Sequence, residues 1–143
     1  VIIGGGVTGG ANHFTALATS GSLVLNASSP ISAGDITLTS LDSGVTLNSA
    51  LTATGHVTVT AAGTTSSVTQ TGAISTSGAN RNILLTAGNN ITSSANLTSN
   101  GGFIHLLSDN DGSNAGAVIL DGSAVATNGG AFVASGGLNP FTS

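Results

Sequence analysis

Residues 45–59 contain the pattern that decides the fold, and they read Val45-Thr-Leu-Asn-Ser-Ala-Leu51-Thr-Ala-Thr-Gly55-His-Val57-Thr-Val59. Aliphatic residues alternate with Thr at both ends of this stretch, as they do in half-buried β-strands. Between these two alternating segments lies Leu51-Thr-Ala-Thr-Gly55, which consists of an aliphatic residue, three small residues and a glycine. Three short strand-like pieces in so short a stretch predict one coil of a β-solenoid.

All three pieces recur along the chain, and fixed-period repetition is typical of solenoids. The middle piece returns as Leu17-Ala-Thr-Ser-Gly21, Ile31-Ser-Ala-Gly34, Ile74-Ser-Thr-Ser-Gly78, Leu97-Thr-Ser-Asn-Gly101 and Val125-Ala-Thr-Asn-Gly129. An aliphatic residue lies six positions before four of these copies, at Val45, Val68, Ile91 and Ile119. An alternating segment follows the glycines, at 23–25, 36–38, 57–59, 83–85, 104–106 and 132–134.

The repeats predict an all-β fold, a three-sided parallel β-helix that extends over residues 1–143 as a single segment. We expect about five to six coils of roughly 20 to 28 residues, each adding about 4.8 Å along the axis. Gly and Asn between the pieces are expected to form corners with positive φ. Two inward ladders are predicted, one of Ile36, Val57, Ile83, Ile104 and Phe132, the other of Leu17, Ile31, Leu51, Ile74, Leu97 and Val125.

The composition excludes several classes of protein. The chain has one Arg, five acidic residues, no Cys and a formal net charge of −4. Phosphate neutralisation needs Lys and Arg, so nucleic-acid binding is excluded, and no apolar run is long enough for a transmembrane helix. Without Cys there is no disulfide framework and no thiol chemistry. The chain begins in the middle of a repeat, at Val1, and we therefore expect it to be part of a longer repetitive protein.

The repeat phrases resemble those of filamentous-haemagglutinin-like exoproteins. The resemblance lies in Gly34-Asp-Ile-Thr-Leu-Thr-Ser40, Arg81-Asn-Ile-Leu-Leu-Thr-Ala-Gly-Asn-Asn-Ile-Thr92 and Asn96-Leu-Thr-Ser-Asn-Gly-Gly102, and this style of repeat covers nearly the whole chain. Members of that family are very large bacterial surface or secreted proteins, often exported by two-partner secretion. The resemblance implies a right-handed β-helical shaft in an extracellular or cell-surface protein.

The acidic residues and histidines are the candidates for catalysis. Polysaccharide-acting enzymes on β-helices need clustered carboxylates about 5 to 10 Å apart, but Asp35 and Asp42 are expected on different sides of one coil. Three histidines (His13, His56 and His105) suggest a triad or a metal site. His56 precedes a strand and His105 lies within one, so they belong to different columns, and His13 is placed in an irregular first coil. We therefore predict no catalytic residue, no metal ligand and no cofactor.

Two further features are binding candidates. Asp109-Asn-Asp111-Gly-Ser-Asn114 alternates oxygen ligands around a glycine, as Ca²⁺ sites do, although the spacing does not match an EF-hand; a hydrated corner loop that binds no metal is the favoured interpretation. Outward Thr37-Leu-Thr39 and Thr58-Val-Thr60 should stack, which suggests ice binding. Leu84, His105 and Val133 then follow in the first column and interrupt the array.

The leading hypothesis is a non-enzymatic structural protein, the β-helical shaft of a bacterial surface adhesin or exoprotein. The alternative is a self-assembling subunit of an extracellular filament or sheath, since neither Val1-Ile2-Ile3 nor the segment 139–143 resembles a cap. An ice-binding solenoid and a polysaccharide-acting enzyme are less favoured. The expected partners are other copies or adjoining repeats stacked end to end, and surface glycans or proteins of a host or neighbouring cell, without membrane insertion.

Overall fold

The computed structural model describes residues 1–113 and 115–136. Its strands form three parallel sheets of six strands each, so the predicted three-sided parallel β-helix is confirmed. No residue in the two described ranges is helical. The chain visits sheets A, B and C in turn, and each visit to all three makes one coil.

Each sheet takes every third strand along the chain. Sheet A contains β1 (Ile2–Ile3), β4 (Leu23–Leu25), β7 (Val45–Leu47), β10 (Val68–Gln70), β13 (Ile91–Ser93) and β16 (Val118–Leu120). Sheet B contains β2 (Val7–Thr8), β5 (Ile31–Ala33), β8 (Leu51–Ala53), β11 (Ile74–Thr76), β14 (Leu97–Thr98) and β17 (Val125–Ala126). Sheet C contains β3 (Phe14–Ala18), β6 (Ile36–Ser40), β9 (Val57–Ala61), β12 (Arg81–Ala87), β15 (Gly101–Leu107) and β18 (Phe132–Ser135).

The core consists of aliphatic columns that run along the axis. In sheet C, the strand pairing stacks Ile36, Val57, Ile83, Ile104 and Phe132 in the predicted order, with Phe14 before them. The four middle members of this column are fully buried. A single coil leaves its apolar edges open to water, so each coil depends on its neighbours for burial.

Two residues assigned to ladders from the sequence lie elsewhere. Leu17 was expected to begin the sheet B ladder, but Val7 pairs with Ile31 there. Leu17 belongs to β3, whose alternation turns it outward, and it is 51% exposed. Ile119 was expected to continue the column of Val45, yet Val118 takes that place. The step from Val118 to Val125 is seven residues, one more than in the three preceding coils, so a six-residue offset selects a residue on the wrong face.

The first coil is also more regular than expected. Leu23–Leu25 was grouped with the segments of sheet C, but it pairs with β7 in sheet A. The equivalent segment of sheet C is Phe14–Ala18, which pairs with β6 along its whole length. His13 therefore precedes a paired strand rather than lying in an irregular coil.

Glycine is needed at the corners for two different reasons, and the sequence predicted only the first of them. Gly101 has a φ of 82° and Gly129 a φ of 111°, the left-handed conformation that glycine favours. Gly78 occupies the equivalent corner without positive φ. A Cβ atom built on it would lie 2.1 Å from the carbonyl oxygen of Thr54 in the preceding coil. At such corners glycine is required because two coils approach closely.

One polar pair replaces leucine in the core. The column of Leu25 and Leu47 continues as Gln70 and Ser93, both fully buried. Gln70 Nε2 donates to the carbonyl oxygens of Gly72 (2.6 Å) and Ala95 (3.2 Å), and the Ser93 hydroxyl donates to Gln70 Oε1. The buried amide is thus satisfied by the backbone at the corner that follows sheet A, as buried polar groups in native proteins generally are.

Candidate functional site

The charged and imidazole side chains lie mainly along the two edges of sheet C. We call the corner that leads from sheet B into sheet C the B–C corner. It holds four of them, at His13, Asp35, His56 and Arg81. The corner that leaves sheet C towards sheet A carries Asp42, Asp109 and Asp111, whereas Asp121 follows sheet A and His105 lies on the outer face of sheet C.

The B–C corner forms a continuous polar chain across four coils. His13 Nδ1 lies 2.9 Å from Asp35 Oδ2, and the backbone N–H of His56 donates to Asp35 Oδ1 at 2.6 Å. The ring of His56 accepts from the backbone N–H of Asn82 at Nδ1 (3.1 Å), and its Nε2 lies 3.3 Å from the Arg81 guanidinium. The pairing of β12 with β15 shifts register between Arg81 and Ile83, where two residues of β15 oppose one of β12, and such bulges change the direction of nearby side chains. The cluster therefore links successive coils.

The same kind of hydrogen bond recurs at other corners. A side chain just before a strand, or near its start as at Asn82 in β12, accepts from the backbone N–H of the equivalent residue in the next coil. Asn82 Oδ1 does so for Phe103 (3.1 Å), Asn90 Oδ1 for Ala117 (2.9 Å) and Asn96 Oδ1 for Ala124 (3.2 Å). Because corner N–H groups need a partner when they are not in a ladder, these side chains have a structural use in holding coils together.

Sequence reasoning treated the histidines separately and missed this cluster. The available signal was their shared position, since His13, Asp35 and His56 each stand immediately before the first residue of a sheet C strand. The prediction that His56 and His105 occupy different columns is confirmed, because His105 pairs with Leu84 and Val133 within sheet C.

The environment of Asp35 favours its ionised form. The backbone hydrogen bond from His56 lowers the pKa of the Asp35 carboxyl below its ordinary value of 3.8; desolvation opposes this shift, and the charges of His13, His56 and Arg81 add to it. A carboxyl group whose folded pKa is lowered stabilises the fold above its unfolded pKa. That contribution is lost as the pH falls through the folded value.

We therefore predict a pH-dependent effect of Asp35→Asn. At about pH 7 the variant should be less stable than the parent by a modest amount, since the pair with His13 is largely exposed and exposed pairs contribute roughly 0 to 1 kcal/mol. The difference should shrink as the pH falls below 3.8, where the parent carboxylate becomes protonated. Denaturant unfolding at several pH values measures it. Asp121→Asn removes the same charge from another exposed corner and is the control; an equal pH dependence in both variants would contradict the prediction.

The remaining carboxylates have the predicted placement. Asp35 precedes β6 and Asp42 follows it, so the two stand at opposite ends of one strand. Asp109 and Asp111 share an exposed corner loop, in which Ser113 donates to Asp109 Oδ1 through its hydroxyl (3.0 Å) and to Asp111 Oδ1 through its N–H (3.3 Å). Asn114, the last residue of the candidate calcium-binding segment, lies outside the described residues. Within 1–113 and 115–136, no group of three or more His or Asp side chains is arranged to hold a metal ion.

Outward hydroxyls form columns on sheet B as well as on sheet C. In sheet C the pairs Thr37/Thr58 and Thr39/Thr60 stack as predicted, and Leu84 then interrupts the first column. Sheet B carries a longer single column, in which strand pairing aligns Thr8, Ser32, Thr52, Ser75 and Thr98. No pocket is detected in the part of the chain that the structure describes.

Comparison with known proteins adds no relative. No family model, no curated protein and no solved structure matches the chain. Among the described residues there is also no helix with the length and apolar character needed to span a bilayer.

Proposed function

We propose that this chain is a non-enzymatic structural rod, a segment of the β-helical shaft of a bacterial surface adhesin or exoprotein. The observation that carries the proposal is the continuity of the three ladders, each of which pairs parallel strands through all six coils. At about 4.8 Å per coil the described part is a rod of roughly 29 Å. A fold of this kind places whatever it carries at a fixed distance from its base.

The side chains support a mechanical role. The Asp35–His56 and Asn82–Phe103 hydrogen bonds add cross-coil links outside the ladders. The fully buried column of Ile36, Val57, Ile83 and Ile104 excludes water between coils. Each polar contact described at the B–C corner joins one coil to the next, which favours a structural use of these residues over acid–base chemistry.

The extracellular location is part of the proposal and rests on the resemblance of the repeats to exoprotein shafts. Hydroxyl and amide side chains take the place of charges on the surface, since only 4% of residues are charged. Binding of surface glycans or proteins would be a property of the whole exoprotein. Protease accessibility of the chain on intact producing cells tests the location, and full protection there, with cleavage only after lysis, would contradict it.

The outward hydroxyls do not extend the proposal to ice binding. To match the planar lattice of ice, the hydroxyl groups need regular spacing in two directions, along the solenoid axis and along the strands. The array on sheet C is regular over two coils only. The long column on sheet B has no regular second row beside it, because the residues two positions further along the chain are Gly34, Thr54, Ser77 and Asn100. This geometry favours an ordinary hydrated surface over an ice-binding one.

Deletion of one complete coil tests the rod directly. Removing residues 45–67, from the start of β7 to the residue before β10, places Val68 on Leu23, Ile74 on Ile31 and Ile83 on Ile36. Because coils of a solenoid are interchangeable units, we expect the shortened chain to remain folded, with unchanged β content by circular dichroism. Its length should fall by about 4.8 Å, measured by small-angle X-ray scattering.

Two further deletions are the controls, one of equal length that keeps the register and a shorter one that breaks it. Deletion of residues 51–73 also takes out 23 residues (73 − 51 + 1) and again keeps the order of sheets, so it should behave like the first deletion. Deletion of 45–56 instead places a sheet C strand on sheet A and should unfold the chain. If the in-register deletions unfold the protein as completely as the out-of-register one, the coils are not interchangeable and the rod proposal is wrong.

A further inference from the structure

The B–C corner of the fourth coil is longer than that of the coil before it. Counted between inward-facing residues, six residues (77–82) join sheet B to sheet C here, whereas three (54–56) do so in the preceding coil. Insertions in a solenoid form loops on one face, which is often the face that binds a partner. This longer corner contains Arg81, the one Lys or Arg of the sequence.

The surrounding corner holds Arg81 in a defined place. The hydroxyl of Thr76 donates to the carbonyl oxygen of Arg81 at 3.0 Å. The backbone N–H of Asn80, which has a φ of 56°, donates to the carbonyl oxygen of Asn100 in the next coil at 2.7 Å. A Cβ atom built on Gly78 would lie 3.0 Å from Cγ of Arg81, so the arginine stem lies against this glycine. A side chain fixed in this way loses less freedom when it binds a ligand.

The guanidinium of Arg81 and the ring of His56 present hydrogen-bond donors to each other. His56 Nδ1 accepts from the backbone N–H of Asn82 at 3.1 Å, so the neutral ring carries its proton on Nε2. That N–H group lies 3.3 Å from Arg81 Nη1, which is also a donor. A proton on Nδ1 instead would face the Asn82 N–H, and a doubly protonated ring would face both donors. An oxygen that accepts from Arg81 and His56 together resolves the conflict.

The neighbouring carboxylate of Asp35 is engaged elsewhere. Its Oδ2 lies 2.9 Å from His13, and its Oδ1 accepts from the backbone N–H of His56. Within 1–113 and 115–136 this is the one ion pair, so no Asp of those ranges lies within 4.0 Å of the Arg81 guanidinium. A carboxylate on a ligand fits the two donors, since planar carboxylates are the groups that Arg binds best in proteins.

An aromatic ring lies one coil further along the same corner. Of the three phenylalanines in the described ranges, Phe103 alone faces outward from its strand, and it is 41% exposed. Its backbone N–H donates to Oδ1 of Asn82, the residue after Arg81, at 3.1 Å. His56, Asn82 and Phe103 thus follow one another at about 4.8 Å along the axis. This row offers donors for an anion and, beside them, an apolar surface.

This combination of groups favours a sugar acid over a peptide. Extended peptides bind by pairing with the free edge of a sheet, but β9, β12 and β15 are paired on both sides. A ligand at this corner is therefore recognised through side chains. The carboxylate of a hexuronate fits Arg81 and His56. The apolar face of its ring fits Phe103, and its hydroxyl groups are acceptors for Nδ2 of Asn82.

We propose that the B–C corner of the third to fifth coils binds a hexuronate unit of a surface polysaccharide. Arg81 and the Nε2–H group of His56 donate to the carboxylate, and Phe103 packs against the sugar ring. The inference rests on the proposed exoprotein, and it adds one sugar contact on the shaft itself.

Titration of the ¹⁵N-labelled chain with sodium glucuronate at constant ionic strength, followed by two-dimensional NMR, tests the site. We expect saturable shifts confined to the backbone amides around His56, Arg81 and Phe103. The Kd should lie in the millimolar range, because no pocket is detected in the described part of the chain and the ligand stays largely exposed. Glucose lacks the carboxylate and should bind at least about tenfold more weakly. Acetate and inorganic sulfate lack the sugar ring and should also bind more weakly than glucuronate.

Substitutions separate the site from its surroundings. Arg81→Gln removes the guanidinium and should weaken glucuronate binding at least about tenfold. His56→Asn keeps an acceptor for the Asn82 N–H, as asparagines do at other corners, but removes the Nε2–H donor. It should therefore weaken binding and leave the circular dichroism spectrum unchanged. The double variant Arg81→Gln/Ser94→Arg restores the net charge at an exposed corner after sheet A and is the matched control, which should bind no better than Arg81→Gln.

Four results would overturn the sugar-acid proposal. The first is the absence of saturable shifts at about 100 mM glucuronate, far above a millimolar Kd. The second is acetate binding as tightly as glucuronate with no effect of Phe103→Ala, which would indicate an adventitious ion only. Recovery of binding in Arg81→Gln/Ser94→Arg, the third, would indicate attraction by charge alone. The fourth is tighter binding of N-acetylglutamate amide than of glucuronate, which would assign the corner to an acidic protein.

The rod proposal is judged separately from this site. The in-register coil deletions report on folding with no ligand present, so a chain that shortens as expected and fails to bind glucuronate would contradict the sugar-acid site alone. A chain that binds glucuronate and unfolds after both in-register deletions would contradict the rod alone.

Discussion

Replacing Ile74 by Asp should lower the free energy of unfolding by several kcal/mol and leave little folded protein. Ile74 is fully buried in sheet B between Leu51 and Leu97, in the middle of the solenoid. An unpaired buried carboxylate costs several kcal/mol, while a whole domain is stable by about 5 to 15 kcal/mol. Thermal and denaturant unfolding, followed by circular dichroism, measure the loss.

The neighbour in the same strand provides the control for Ile74→Asp. Ser75 faces outward from β11 and is only half-buried, so Ser75→Asp adds the same charge where water can reach it. It should change the stability by a small fraction of the Ile74→Asp effect. The double variant Asp109→Ala/Asp111→Ala should also cost little, because its side chains make only exposed hydrogen bonds to Ser113. If calcium stabilises the parent and not this double variant, the loop is a metal site and our interpretation of it is wrong.

Replacing Gly72 by Ala is expected to have the second largest effect, a loss of roughly 1 to 3 kcal/mol or more. A Cβ atom at this buried corner would lie 2.1 Å from the carbonyl oxygen of Ser49 and 2.2 Å from its carbonyl carbon. Both atoms are backbone of the preceding coil, so the two coils would have to separate locally. That movement would also disturb the hydrogen bond from Gln70 to the Gly72 carbonyl oxygen.

Gly5→Ala is the matched control for Gly72→Ala. A Cβ atom at Gly5 has no heavy atom within 4 Å, and its φ is not in the left-handed region. The substitution should leave the stability unchanged or raise it slightly, since alanine reduces the freedom of the unfolded chain. Equal losses in the two variants would mean that chain flexibility, and not the close approach of coils, explains the glycine at position 72.

The amino-acid sequence determined the class of fold and the register of the middle coils. The alternation of Val, Ile and Leu with Thr sets which side chains face inward, and this information is local to each strand. The six-residue offset from Val45 to Leu51 returns at Val68 and Ile91, so corners of equal length carry the register from one coil to the next. The strand pairing of Val45, Val68 and Ile91 is the one predicted.

The candidate site shows what this local information leaves out. His56 was correctly placed before a strand, but its link to Asp35 depends on the register between coils, because the two residues are 21 positions apart in the sequence. His13 joins them only because the first coil is regular, and that depends on Phe14–Ala18, not Leu23–Leu25, being the strand of sheet C.

Tertiary structure decided the details that arise between coils. A repeat phrase at Leu17 has the right residues, yet the alternation beginning at Phe14 turns Leu17 towards solvent. Gly101 and Gly78 occupy the same place in the repeat, and only the structure separates the left-handed corner from the close contact. The reason is that corner length varies from coil to coil, and contacts that depend on it exist only once residues far apart in the sequence have been stacked about 4.8 Å from each other.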